Sequence, residues 1–109
     1  MVGKSKKRGQ RSSYRLLMLH LLKWEFQPER RSRSWRNTID RERENIIDYE
    51  EKGKGRRIGE ADFDDLYQSA RRLAADETGL PLGAFPSLCP YSLDMLRDLS
   101  AMPDPSPCR

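Results

Sequence analysis

Histidine occurs once in these 109 residues, cysteine twice and valine once, and no apolar stretch approaches the roughly 20 residues that a membrane span needs. Each scarcity removes a class of protein. With His20 alone, and cysteines only at Cys89 and Cys108, no zinc-ligand spacing and no disulfide framework can be written, so neither metal nor cofactor is expected. The run Leu16 to Leu22 is too short to cross a bilayer. As a secretion signal it lacks a small-residue cleavage site and runs into Lys23 and Trp24, so the expected compartment is the cytoplasm, with no membrane partner. Leu, Ile, Val and Phe together supply 21 residues, about 19%, just under the roughly 20% level below which chains drift towards disorder. The core is therefore expected to be small, and completed by a partner or a second copy.

Charge is abundant and unevenly placed. Residues 1–36 carry 11 Lys and Arg against 2 acids, a net of +9, while residues 37–109 carry 10 against 15, a net of −5. A basic third suits nucleic acid or an anionic surface, and equally suits acidic helices of the same fold.

Periodicity divides the chain into a basic mobile arm (1–13), a helical domain (14–99) and a disordered tail (100–109). The fold class is all-α: three main helices plus a short C-terminal one, with a proline-rich strap between the last two. From Ser13 to Phe26 apolar residues surround the helix, which predicts burial on most sides. Pro28 disfavours helical geometry at Gln27 and stops it. Ser32 or Ser34 then caps a second helix whose inner face is Trp35, Ile39, Ile46 and Ile47, and whose charge-dense run Asp40 to Glu51 reads as solvated. The glycine-rich Lys52 to Gly59 is a loop that lacks the phosphate-cradle pattern. A third helix spans about Asp62 to Glu77, with Phe63, Leu66, Tyr67, Ala70, Leu73 and Ala74 inward, an acidic start that suits the helix dipole, and a stop at Gly79. Leu80 to Tyr91, with three prolines among apolar residues, reads as the strap. Ser92 caps the last helix, Leu93 to Leu99, with Leu93, Leu96 and Leu99 facing inward.

The sharpest change of chemistry falls at HLLKWEFQPERRSRSWR, where an apolar helix meets a proline, four arginines and the second tryptophan. The candidate binding elbow is His20, Lys23, Trp24, Gln27, Arg30, Arg31, Arg33, Trp35 and Arg36. Within it His20 is expected to bond a carbonyl or carboxylate, and Arg36 to pair with Asp40 at i, i+4. No nucleophile, acid and base group together in the sequence, so no catalytic residue is assigned.

Both HLLKWEFQPERRSRSW and ARRLAADETGLPLGAFPSLCPYSLDML resemble the bacterial domain of unknown function family 29, in the family's order. The resemblance implies a small all-helical domain and brings no activity. Family members typically carry a longer acidic, leucine-rich helical segment before this region, so the expectation is a shortened member, through an alternative start or gene decay. Three functions stay open. The first is a non-catalytic interaction or structural module using the elbow, with self-association or an acidic protein as partner. The second is nucleic-acid binding through the basic third. The third is an enzyme with His20 as base and the elbow arginines holding an anion.

Overall fold

In the computed structural model, which describes residues 9–51 and 60–103, the chain forms four α-helices and, among the described residues, no strand. Helix α1 (Gln10–Phe26) starts where extended Gly9 passes its carbonyl to the Ser13 amide at 3.0 Å. This start lies inside the stretch expected to be arm. Gln10 to Ser13 join the helix because Gln10 and Ser13 have partners on the second helix and are buried there. The remainder of the arm, residues 1–8, lies outside the described residues, as do the glycine-rich loop 52–59 and the tail from 104 to 109.

Helix α1 ends at Phe26, the Gln27 amide closes on the Lys23 carbonyl at 2.9 Å, and Pro28 opens a single 3-10 turn, Pro28–Arg30. Helix α2 (Arg33–Glu51) follows at once. Of the two serines offered as its cap, Ser32 takes the role, its hydroxyl accepting from the Trp35 amide at 3.1 Å.

The bundle runs up, down, up around α1. Ser13 and Tyr14, at the start of α1, bond Asn45 and Glu50 near the end of α2, so those helices are antiparallel. Arg11 meets Asp62 and Lys23 meets Glu77, so α1 and α3 (Glu60–Thr78) are parallel. Both flanking helices pack on α1 far more than on each other. Their two-sided cover, with the strap on a third side, explains why a helix apolar all round is tolerated: Tyr14, Leu17, Met18, Leu19, Leu21 and Leu22 are all buried.

The inner face of α3 is Leu66, Tyr67, Ala70 and Ala74, with Phe63 half-buried and Leu73 turned out to 37% exposure. Gly79 ends it with φ 77°, a left-handed conformation that glycine adopts without strain. The strap carries a 3-10 turn, Leu82–Ala84, and is pinned by its own backbone. Arg71, Tyr67 and Gln68 of α3 donate to the carbonyls of Phe85, Pro86 and Ser87 at 3.1, 2.6 and 2.8 Å. Phe85 is buried edge-on to Phe26 at 5.2 Å, and Tyr91 is buried with its hydroxyl donating to Glu25 at 3.0 Å. Ser92 caps α4 (Leu93–Arg97) by accepting from the Met95 amide. That helix stops two residues early, so Leu99 is 45% exposed rather than inward.

One expectation fails for a clear reason. The run Asp40 to Glu51 is not a solvated face: Glu42, Arg43 and Asn45 are buried, alongside Ile39 and Ile46. Asn45 donates to Ser13, and Arg43 donates to main-chain carbonyls of α4. Polar groups enter a core when partners await them, and these partners lie more than thirty residues away in sequence.

Candidate functional site

At the elbow the chain turns from α1 through the 3-10 turn into α2, beside the last turn of α3. Trp24 and Trp35 are both half-buried, and each has a cation of the same chain over its ring. The Arg31 guanidinium lies 4.8 Å from the Trp24 ring centre, and Lys23 Nζ lies 4.9 Å from that of Trp35. Arg31 is further fixed by its Nε, which donates at 2.8 Å to the Trp24 carbonyl at the C-terminal end of α1, where carbonyls lack helical partners. Lys23, with 12% of its side chain exposed, also donates to Glu77 at 2.7 Å.

The other elbow residues divide into engaged and free. Gln27 reaches the Thr78 carbonyl at 3.4 Å. Arg36 pairs with Asp40 at 3.3 Å in the i, i+4 arrangement read from spacing. The His20 ring bonds through Nδ1 to the Leu16 carbonyl at 3.0 Å. Burial holds its pKa below the ordinary histidine value, with nearby Lys23 acting in the same direction and Glu77 and Glu42 acting against it. Arg30 and Arg33 are exposed and have no partner among the described residues. The first turn of α2 contains no acid, so these two arginines stand at the positive end of a helix dipole. The nine candidates are thus one structural corner, with seven side chains spent on the fold and two left over.

A second polar cluster, at the opposite end of α1, has no counterpart in the sequence reading. Arg97 grips Glu50 with two parallel bonds, Nε to Oε1 at 2.7 Å and Nη2 to Oε2 at 3.1 Å. Tyr14 and Gln10 add donors to Oε2 at 2.8 and 3.1 Å. Burial pushes the Glu50 carboxyl pKa up, but the bonds from Arg97, Tyr14 and Gln10 outweigh it and bring the net value below the usual carboxylate range. The same bonding pulls the Arg97 pKa up, and burial next to Glu50 pushes the Tyr14 phenol up. An i, i+4 search could not have found this cluster, because the donors lie 36 to 47 residues from Glu50.

Neither cluster presents a nucleophile with a base. Cys89 is half-buried, its thiol pushed up to about 11 by burial, which leaves it protonated and unreactive near neutral pH. Among the described residues no group of three His, Cys, Asp or Glu side chains is placed to hold a metal ion, and no helix is long and apolar enough to cross a membrane.

An all-helical domain of three main helices and a short fourth, tied together by two polar corners, is what the fold and sites define. The chain belongs to the family described as Domain of unknown function DUF29, whose pattern matches residues 1–100. No curated protein and no solved structure matches it.

Proposed function

We propose that this chain is a non-catalytic helical interaction module whose docking point is the elbow, and whose partner is an acidic protein surface or an acidic face of a second copy. One observation carries the reading: Arg30 and Arg33 are exposed and have no carboxylate partner among the described residues, while Lys23, Arg31 and Arg36 are already engaged within the fold. The turn that bears Arg30 is stiffened by Pro28 and by the Arg30 and Arg31 amides bonded to the Gln27 and Pro28 carbonyls. Arg33 stands on the first turn of a capped helix. Two arginines on a rigid corner have no backbone left to order when they meet a carboxylate, so only side-chain freedom is lost, which favours an interface role.

The test is anisotropy of a labelled oligoglutamate peptide with the full chain and with Arg30→Ala/Arg33→Ala, together with light scattering after gel filtration at low and high salt. Loss of peptide binding in the double variant is the expected result. Binding that persists unchanged would remove the elbow from the interface. A labelled DNA duplex serves as the competing probe. Held by two free arginines alone, it would lose affinity with a log–log salt slope of only about −2, so a much steeper slope would move the function to the basic N-terminal segment.

A further inference from the structure

Helix α4 is five residues long, far short of the roughly 12–15 at which isolated helices become even marginal in water. It is held by its seat on α2. Leu96 fills that seat with no exposed surface, and two arginines fasten the rest. The fasteners differ in kind. Arg97 forks onto the Glu50 carboxylate at a site where both side chains are 22% exposed. Arg43 is wholly buried, and its acceptors are two carbonyls and a thioether: Nε to Leu96 O at 3.0 Å, Nη2 to Met95 O at 3.0 Å and to Met95 Sδ at 3.7 Å. Its Nη1 is buried with no partner among the described residues, and Asp98 and Asp40 act on the guanidinium only through space.

A buried cation without a bonded carboxylate is incompletely compensated for the water it has lost. Closing α4 imposes that cost on Arg43, and opening α4 returns the guanidinium to water. The strap has no such weakness. Phe85 and Tyr91 are buried, and α3 holds three of the strap's carbonyls, so the hinge falls at exposed, extended Ser92.

We propose that α4 is a displaceable clasp over a carboxylate-binding socket whose cation is Arg43. The group that displaces it is a polypeptide segment offering a leucine for the Leu96 seat and a carboxylate where α4 offers only neutral acceptors, because a charge-assisted bond is the stronger one. This proposal does not depend on the elbow reading.

The experiment is hydrogen exchange with mass spectrometry on the full chain, followed at the α4 amides Leu96 and Arg97 and at the Asp98 amide that caps the helix. It is run alone, with a synthetic peptide of residues 91–96 ending in a free carboxylate, and with the same peptide ending in an amide. A ligand that binds only the open form raises the open population by mass action, so the free acid should speed exchange at these amides about tenfold while α1 is unchanged, and the amide should not. No acceleration by the free acid, or equal acceleration by both peptides, overturns the proposal. Arg43→Met supplies the second arm: removing the guanidinium removes one of the two fasteners, so basal exchange at α4 should rise, and the difference between the two peptides should be abolished. A free-acid preference that survives in Arg43→Met would also overturn it.

Discussion

At the Glu50 end of the bundle, donors from α1 and α4 converge on one carboxylate of α2 and leave none of its oxygens idle. At the elbow end the cations outnumber the carboxylates: Arg31 and Lys23 lie over tryptophan rings, Arg31 also meets a carbonyl, and Arg30 and Arg33 are exposed with no partner among the described residues. Both ends are dense in charge, yet one is closed and the other is open. What separates them is the supply of partners, which a count of charged residues does not reveal.

Cutting the closed end should have the largest effect. Glu50→Ala removes the acceptor for Tyr14, Gln10 and Arg97 together and strands a buried phenol, so it should lower unfolding free energy by about 3 kcal/mol in urea titrations. An effect under about 0.5 kcal/mol would show the cluster to be a surface ornament. Next comes Arg31→Ala at the elbow, which loses the Trp24 stack and a bond to a helix-end carbonyl and should cost about 1–2 kcal/mol by the same measurement.

Acidity sharpens the contrast by separate routes. The folded Glu50 pKa lies below its unfolded value of 4.5, so its contribution is complete above that value and is lost as pH falls through the folded pKa. The folded His20 pKa also lies below its unfolded value of 6.5, because burial favours the neutral ring. The unfolded chain therefore binds more protons as pH drops below 6.5, and stability falls there first. Urea midpoints at pH 7.5 and pH 5.5 should differ in the native chain, and His20→Gln should narrow that gap while leaving the acid-limb loss from Glu50 in place. Smallest of all, Arg30→Ala/Arg33→Ala should shift stability by no more than about 0.5 kcal/mol, since neither side chain has a partner among the described residues. A larger loss would mean that the free cations serve the fold.

The local punctuation of this chain is legible in its sequence. Pro28 ends α1, Ser32 and Ser92 cap α2 and α4, Gly79 ends α3, and Arg36 meets Asp40, because each is an interaction within a few residues. The all-round apolar character of α1 likewise announces its central place. What stayed hidden depends on atoms far along the chain. Arg43 resembles any other charge in a mixed run until the carbonyls of Met95 and Leu96 arrive beside it, and backbone carbonyls have no sequence signature. The elbow was read from nine neighbours in sequence, and the contacts that engage some of them within the fold were equally hidden: Arg31 folds back seven positions and Lys23 reaches 54 positions ahead.

Because α2 and α3 pack on α1 and hardly on each other, α1 is the shared wall through which either helix influences the other. Side chains lacking common neighbours add their energies independently, while those meeting the same residue do not. Evolution of this chain is therefore free to reshape the outer faces of α2 and α3 separately. A change at a buried α1 residue that both helices meet would be felt on both flanks at once, so diversity should gather on the flanks and constancy along the wall.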